Sequence, residues 1–342
     1  MIQQSRTNSP VHQNASALQE ASISRSISAD CILPPNWAYQ WSNPSLVSGE
    51  INHLHASTKA LPPTTIETSL RHNHKAALAS VTLPNAGRLD AIQFKLATIA
   101  AFAETRKLIE SFGFEYPVRF WNFLPDIHRT VLSDGIAHDW YMLFNECRDL
   151  AFKDWLHPAI NREKHNGNFK PTPAASGVGH TGPELAIHCL AMKRPGQSIE
   201  NPRQIPSIRY SHRYGPKPPN FARATLVSHP DFDHQQLLVA GTASICGEQS
   251  MHADNLSRQI DETIANLQSL VATAANKSVV LPLSAFTSLR VYHRYESDRE
   301  LISQSLQNYF QPHSPAIEYL RADICRKELL VEIEGLAELS EL

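Results

Sequence analysis

Residues 116–124 read YPVRFWNFL, a run of aromatic and β-branched residues that predicts a strand. Residues 89–111 precede it, and their apolar side chains recur at helical spacing, which predicts a long amphipathic helix. The same order returns about 170 residues later, where a helix predicted over residues 254–274 comes before a strand at residues 289–295, LRVYHRY. The chain is therefore predicted to be a tandem repeat of one α+β unit.

Two similar units in one chain commonly pack sheet against sheet and leave a cleft between them. We therefore expect an α+β fold of two units, with mixed sheets covered by helices and a binding site in the cleft. The predicted boundaries are an N-terminal domain at residues 31–200 and a C-terminal domain at residues 201–342. Residues 1–30 are rich in Ser, Gln and Asn and lack the apolar segment of a secretory signal, so we expect a disordered tail there.

The composition is that of a globular protein with no strong charge bias. Hydrophobic residues make up 42% of the chain, and the formal net charge of -2 comes without a long basic run, which argues against binding to nucleic acid or to a membrane surface. No run approaches the roughly 18 apolar residues that a membrane span needs. The five cysteines are scattered and form no CxxC pair, a pattern that favours reduced thiols in the cytoplasm over disulfides or a structural zinc site.

Four histidines close together in the first half invite a metal hypothesis: His53, His55, His72 and His74. Two HxH pairs without a carboxylate or cysteine partner are, however, more typical of solvated loops. We therefore predict no metal site in this protein.

Residues 237–250, LLVAGTASICGEQS, combine an apolar run with a row of small residues and a turn. A strand that ends in small residues before a turn lets a ligand approach the backbone, because Gly and Ala leave room and expose N–H donors. Gly241, Thr242 and Ala243 are therefore candidates for the floor of a binding site. Such a strand end is, however, more often ordinary packing than the floor of a binding site.

Near the end of the chain, the segment LLVEIEG places two carboxylates on one face of a predicted strand. By the period of two, Glu332 and Glu334 face one way while Val331 and Ile333 face the other. One interpretation is a solvated sheet face, because exposed carboxylates are the norm. The other is a partly buried glutamic acid whose pKa is raised by desolvation, so that it can act as a general acid.

Several arginines are placed in a way that suits an anionic substrate. Arg213 and Arg223 flank a proline-rich loop, and Arg290 and Arg294 share the same parity along the strand predicted at residues 289–295. Because arginine can hold a carboxylate by two parallel hydrogen bonds, a dicarboxylate would need at least two of them in one cleft. A single arginine is more often a solvated or structural charge than part of a binding site.

Cys325 lies in a strand-like segment bracketed by Arg321 and Arg326, and no histidine is next to it in the sequence. A nucleophilic cysteine needs a base or a positive neighbour that stabilises its thiolate. We therefore interpret Cys325 as a thiol that shapes a pocket and not as a nucleophile.

Five segments in the same order together resemble the chorismatases, both the 3-hydroxybenzoate synthase-like and the FkbO-like enzymes. These segments are RFWNFLPDIH (119–128), IENPRQ (199–204), RYGPKPPNFARAT (213–225), VAGTASICGEQS (239–250) and RADICRKELLVEIEG (321–335). The resemblance covers roughly residues 35–338. It implies two RidA (YjgF)-like, chorismate mutase-like units of which the C-terminal one is catalytic, chorismate as substrate, no cofactor, and a monomer or homotrimer.

The resemblance also implies a chemistry, namely removal of the enolpyruvyl group of chorismate as pyruvate. The family's proposed acid falls on Glu332, which would protonate the enolpyruvyl methylene and open the adjacent carbon to attack by water or by the ring hydroxyl. The resemblance implies that the arginines bind the two carboxylates of chorismate. The residues expected to bind the substrate are Tyr210, Arg213, Tyr214, Arg223, Gly241, Thr242, Ala243, Arg294 and Cys325.

A cysteine seven positions before the catalytic glutamate is similar to the 3-hydroxybenzoate synthases, and Cys325 stands seven before Glu332. The expected product is therefore 3-hydroxybenzoate, alone or together with 4-hydroxybenzoate. A hydrolytic chorismatase that yields the dihydrodiol is the first alternative. A RidA-like imine deaminase is another, although the position of its substrate-binding arginine corresponds to Ile317 here, and a non-catalytic protein that binds small acids is the third.

Overall fold

The computed structural model describes residues 32–42, 54–57, 65–133, 135–156, 170–276 and 283–339. The tail predicted at residues 1–30 and the side chains of His53 and His55 lie outside the described residues.

The first half forms a six-stranded sheet with two long helices. In chain order its elements are α1 (Asn36–Ser42), β1 (Leu54–Ser57), β2 (Thr65–His72), β3 (Ala76–Leu83), α2 (Ala91–Glu110), β4 (Tyr116–Pro125), β5 (Thr130–Ser133), β6 (Ile136–Asp139), α3 (Trp140–Leu156), β7 (Ala174–His180) and β8 (Leu185–Met192). The strand order in the sheet is β1-β2-β3-β8-β4-β7, and β5 and β6 form a separate hairpin.

The second half repeats this plan. Its elements are β9 (Gln197–Ile199), β10 (Ala224–Val227), β11 (Gln235–Ala243), β12 (Ile245–Cys246), β13 (Gln249–Ser250), α4 (Leu256–Ala274), β14 (Phe286–His293), α5 (Arg299–Phe310), β15 (Ala316–Arg321) and β16 (Val331–Leu339). The sheet order is β9-β10-β11-β16-β14-β15, and β12 pairs with β13 in a short hairpin.

The two sheet orders are the same when strands are matched by their place in each half. In both sheets the last pair, β4 with β7 and β14 with β15, is parallel, and every other pair is antiparallel. In both, α2 or α4 leads from the hairpin into the strand of the parallel pair. The predicted tandem repeat of one α+β unit is confirmed by this identity of topology.

The two sheets pack face to face, with the long helices on the outside. One hydrophobic cluster fills the space between the sheets and includes Trp121 from β4, Leu238 from β11 and Tyr292 from β14. Two further clusters lie between each sheet and its own helices. Burial of apolar surface on both faces of each sheet stabilises this four-layer arrangement, and it confirms the prediction that the units pack sheet against sheet.

Side-chain hydrogen bonds cap the N-termini of α2 and α4. The Asp90 side chain accepts a hydrogen bond from the backbone N–H of Gln93, whose own side chain accepts from the Asp90 N–H, so a capping box starts α2. Asn255 caps α4 by accepting from the Arg258 N–H. In α4, Ile260, Ile264 and Leu267 face the sheet, as their spacing predicts.

Two segments differ from the sequence-based expectation. The sequence predicts a helical region over residues 128–156, but the β5–β6 hairpin occupies their first part. The Gly, Pro and Asn content of residues 161–183 predicts an irregular connection, yet β7 lies within them. The sequence of β7, AASGVGH, is dominated by small residues, so it carries little of the side-chain signal that marks a strand.

Candidate active site

A cavity of about 390 Å³ lies between the two sheets and takes its walls from both halves. Its size is within the range of small-molecule sites. The floor consists of small residues on β7 and β11, namely Ala175, Ser176, Gly177, Gly241 and Ala243. The cleft predicted between the two units is therefore present, and its floor is shared between them.

Three acidic side chains line this cavity, Asp139, Glu328 and Glu332, and the last of them lies beside the floor. On β16 it pairs with Ala243 of β11 on one side and with Tyr292 of β14 on the other, and it is 3% exposed. Among the described residues, none donates a hydrogen bond to its side-chain carboxyl group. Burial and, to a smaller extent, the negative charge of Glu334 raise the pKa of Glu332 to about 8, although the positive charges of Arg119 and Arg223 oppose the shift. A carboxyl in this state holds a proton at neutral pH.

The solvated-face interpretation of the two glutamates is wrong, because both are buried. Val331 and Ile333 point to the helices, as the period of two predicts, while Glu332 and Glu334 point into the space between the sheets. The second interpretation, a buried glutamic acid with a raised pKa, describes Glu332.

Gly241 makes room for the Glu332 carboxyl. The ladder between β11 and β16 is interrupted between Val239 and Thr242, so Gly241 lies in a β-bulge. A Cβ placed on Gly241 would overlap the Glu332 carboxyl group. The small floor residue predicted from the sequence is thus a steric requirement of the acid at this position.

The Glu334 carboxylate lies below the cavity floor, and each of its oxygens accepts two hydrogen bonds. Its Oε2 accepts hydrogen bonds from Arg119 Nη2 at 2.7 Å and from Ser176 Oγ at 2.5 Å. Its Oε1 accepts from Trp121 Nε1 at 2.9 Å and from Tyr292 Oη at 3.1 Å. Arg119, Trp121 and Ser176 belong to the first half, so this carboxylate ties the two sheets together below the cavity floor.

Arg223 is a buried cation in the cavity wall. Its Nη2 donates to Tyr210 Oη at 2.6 Å and to the Ile205 carbonyl at 3.1 Å. Its Nε is buried and has no hydrogen-bond partner among the described residues. Because unpaired buried donors are costly, Arg223 is suited to bind an anionic ligand in the cavity.

The mouth of the cavity carries further positive charge. Arg326 stacks on the ring of Tyr214, with its guanidinium carbon 3.9 Å from the ring centroid, and donates to the Glu248 carbonyl and to Ser250 Oγ. The side chains of Arg213 and Lys327 also line the cavity. These three cations outnumber the acidic side chains of Asp139 and Glu328, which also line the cavity, and an excess of positive charge favours the approach of an anion.

Helix α3 supplies the opposite wall. Tyr141 packs so tightly over β7 that a Cβ on Gly177 would lie 2.9 Å from its ring. Asn145 accepts a hydrogen bond from Arg148 Nη2 at 2.9 Å, while its own Nδ2 is buried without a partner in the described part of the chain. Asn145 and Tyr141 therefore add polar atoms to the cavity wall.

Cys325 lines the cavity, and burial raises the pKa of its thiol to about 12. A thiol with this pKa stays protonated at neutral pH and is a poor nucleophile. The geometry agrees with a cysteine that shapes the pocket.

The structure brings most of the predicted site residues together. Those that line the cavity are Tyr210, Arg213, Tyr214, Arg223, Gly241, Ala243, Cys325 and Glu332. Two others lie elsewhere. The Thr242 hydroxyl turns back to the Ala240 carbonyl at 2.9 Å, and the Arg294 guanidinium lies over the ring of Tyr295.

Sequence reasoning missed several lining residues, among them Ser176, Gly177, Tyr141, Asn145 and Lys327. Ser176 and Gly177 were missed with β7 itself. The others stand on a helix and a loop, where no pattern of the sequence shows which residue reaches a cavity. The sequence shows a positive charge at Arg326 next to Cys325, but it does not show that Arg326 stacks on Tyr214.

The described residues also show what the site and its surroundings lack. Within them, no group of three or more His, Cys, Asp or Glu side chains is arranged to hold a metal ion. None of their helices is long and apolar enough to cross a membrane.

Comparisons with known proteins point in one direction. Residues 53–191 match the family model described as "Chorismatase FkbO/Hyg5-like, N-terminal". A 3-hydroxybenzoate synthase from Streptomyces hygroscopicus is 34% identical over 247 residues, which cover 70% of this chain and 68% of that protein. A chorismatase from Streptomyces rapamycinicus is 27% identical over 260 residues, covering 74% and 72% of the two chains.

The fold has a relative among solved structures. A crystal structure of a chorismatase superimposes with a TM-score of 0.65 at 24% sequence identity, and the match covers 84% of this chain and 80% of the other. This likeness confirms the overall architecture of two α+β units.

Proposed function

This chain belongs to the FkbO/Hyg5-like chorismatase family, and we propose that it converts chorismate to pyruvate and 3-hydroxybenzoate, alone or together with 4-hydroxybenzoate. The resemblance seen in five segments of the sequence is thereby confirmed. The observation that carries the proposal is the Glu332 carboxyl, which is buried, faces the cavity and has its pKa raised to about 8.

In the proposed first step Glu332 acts as a general acid. The π electrons of the enolpyruvyl double bond take the carboxyl proton, so the methylene becomes a methyl group and Glu332 becomes a carboxylate. The positive charge that develops on the adjacent carbon is shared with the ether oxygen. A carboxylic acid that is protonated at neutral pH is the group this step requires, and no metal or cofactor is needed for it.

The second step decides the product. If the ring hydroxyl attacks the positive carbon, a cyclic ketal forms and the hydroxyl proton returns to the Glu332 carboxylate. One ring C–O bond of the ketal then breaks, the ring loses a proton and becomes aromatic, and the oxygen that stays on the ring takes up a proton as pyruvate leaves, so no water is consumed overall. Pyruvate and hydroxybenzoate together then have the composition of chorismate. If water attacks instead, one water is consumed and the dihydrodiol is released with pyruvate. Small floor residues beside Cys325 support the first course, because they let the ring lie close to the acid.

The two carboxylates of the substrate need cationic partners. We assign one to Arg223, whose Nε is buried and unpartnered within the described chain and whose neighbour Tyr210 can share in the binding. We assign the other to the cations at the mouth, where Arg213, Arg326 and Lys327 line the cavity and Tyr214 supports Arg326. The assignment of Arg294 made from the sequence has no geometric support.

Product identification tests the proposal. Purified protein is mixed with chorismate, pyruvate is followed by a coupled assay, and the second product is separated by chromatography. Pyruvate release above the spontaneous rate together with 3-hydroxybenzoate supports the proposal, and the dihydrodiol alone would establish the hydrolytic alternative. No pyruvate, with tight chorismate binding in a calorimeter, would indicate a small-acid binding protein, and ammonia release from an imino acid would indicate a deaminase.

Three further expectations concern the location, the cofactor and the assembly of the enzyme. We propose that the enzyme acts in the cytoplasm, works without a cofactor, and is a monomer or a homotrimer. Sedimentation analysis distinguishes the two assemblies, cell fractionation tests the location, and turnover in the presence of a chelator tests the independence from metal ions.

A further inference from the structure

The carboxylate of Glu334 has a complete set of hydrogen-bond donors. Each of its two oxygens accepts two hydrogen bonds, from Arg119 and Ser176 on one side and from Trp121 and Tyr292 on the other. An ionised carboxylate has about four such acceptor positions. Glu334 is therefore held as a fixed, buried negative charge, although it is not among the residues that line the cavity.

Glu334 and Glu332 are neighbours on one face of β16. Two residues of spacing on a strand correspond to about 7 Å along the backbone. Between the sheets, two buried carboxyl groups at this distance repel each other strongly when both are ionised, because little water screens them. The fixed charge on Glu334 therefore favours the protonated form of Glu332.

Other ionisable groups face Glu332 from the elements packed around it. Arg119 on β4 and Arg223 before β10 favour its ionised form. Tyr141 on α3 and Cys325 between β15 and β16 are raised in pKa by burial and by the Glu332 charge, so both stay neutral beside it. Among these neighbours, the negative charge of Glu334 is the one that opposes ionisation of Glu332.

Ser176 links this charge to the cavity floor. Its hydroxyl donates to Glu334, accepts from Arg119 Nη2 at 2.6 Å and accepts from the Gly241 N–H at 2.8 Å. The last bond holds the bulged segment of β11 that leaves room for the Glu332 carboxyl. The charge of Glu334 and the shape of the floor thus depend on one hydroxyl group.

We propose that Glu334 is a positioning residue for the acid: held by donors from both halves of the chain, it keeps the Glu332 carboxyl in its protonated form. This inference rests on the proposed function of Glu332 as general acid. A purely structural role explains the network less well. A buried ion pair can often be replaced by apolar residues without loss of stability, so the Arg119–Glu334 pair is weak evidence for a stabilising role.

The test measures the titration of Glu332 directly and does not depend on turnover. The carboxyl carbons are labelled with carbon-13 in glutamate, and the Glu332 signal is identified by its absence in Glu332→Gln. We expect Glu334→Gln to lower the midpoint of that titration by about one pH unit or more, which makes the ratio of protonated to ionised Glu332 about tenfold smaller at a given pH. The alkaline limb of the rate profile should move by the same amount.

Glu334→Asp is the matched control, because it keeps the charge and shortens the side chain. Its Glu332 titration should stay within about 0.3 pH units of the wild type. Since Glu334→Gln leaves Arg119 without its partner, it can fail to fold. The double variant Arg119→Gln/Glu334→Gln then replaces it and should still lower the midpoint, because the effect of Glu334 on Glu332 is larger than that of Arg119.

An unchanged midpoint in Glu334→Gln, or in the double variant where the single one does not fold, would overturn the inference. So would a shift in Glu334→Asp as large as that in Glu334→Gln. Failure of the proposed function is a separate result: the wild type would then release no pyruvate, while the titration of Glu332 could still be measured.

Discussion

The carboxyl group of Glu332 occupies the space that a side chain at position 241 would need. The two residues lie on neighbouring strands, and the bulge in β11 brings the Gly241 backbone toward the acid. The floor and the acid are therefore one steric unit, and a change in either must displace the other.

Gly241→Ala should cost roughly a hundredfold or more in kcat, because its Cβ pushes the acid out of position and general acid catalysis of this kind contributes about 10²–10⁴-fold. Pyruvate release at neutral pH measures the effect. The matched control is Gly182→Ala, whose new Cβ would meet only the flexible Glu184 side chain. Equal activities of the two variants would contradict the steric relationship.

The rate should be level with pH up to about pH 8 and fall above it, because Glu332 must carry a proton and burial raises its pKa to about 8. Initial rates of pyruvate release between about pH 6 and pH 10 give the profile. Above the midpoint the decline should approach tenfold per pH unit. Activity that rises with pH through this window would show that Glu332 acts as a base. Below about pH 8, Glu332→Gln should be about 10²–10⁴-fold slower than the wild type, and its residual rate should lack the alkaline decline.

The stability of the wild type should fall with rising pH relative to Glu332→Gln. The pKa of Glu332 is raised in the folded protein, so its favourable contribution is complete below the unfolded-state pKa, near 4.5, and is lost as pH rises toward about 8. The difference in unfolding free energy between the two proteins should change by an amount on the order of a few kcal/mol over that window. Urea unfolding at several pH values measures it. A difference independent of pH would mean that Glu332 has an ordinary pKa.

Arg223→Gln should lower kcat/KM by roughly 10–100-fold, mainly through KM, because it removes the buried guanidinium that we assign to a substrate carboxylate. Arg294→Gln is the comparison, since the structure places that guanidinium over Tyr295 and not in the cavity. Its kcat/KM should stay within about twofold of the wild type. The reverse ranking would restore the assignment made from the sequence.

The sequence was most informative where side chains alternate or recur regularly. The residue pattern predicts strands at residues 76–83 and 224–227, which are the bounds of β3 and β10 in the structure, and the orientation of Glu332 follows from the period of two. The same rule explains two errors. Gly241 and Ala243 line the cavity, but Thr242 between them bonds to its own strand. Arg294 was placed by its parity with Arg290, yet β14 ends at His293, beyond which parity no longer applies.

What the sequence could not provide was the contact between distant segments. The Ser176 hydroxyl meets Gly241 and Glu334 because β7 of one sheet lies against β11 and β16 of the other. No local pattern in AASGVGH predicts that encounter. The family resemblance pointed to Glu332 as the proposed acid, and the geometry supplies a reason that it can hold a proton.

The sharing of the cavity floor between β7 and β11 has a consequence for assembly. In a protein built from two separate chains, such a floor would come apart on dilution, and activity would follow the association equilibrium. Here a covalent connection sets the effective concentration of one half at the other, independently of how much protein is in solution. The two walls therefore meet by an intramolecular step, and Ser176 finds Gly241 at any dilution.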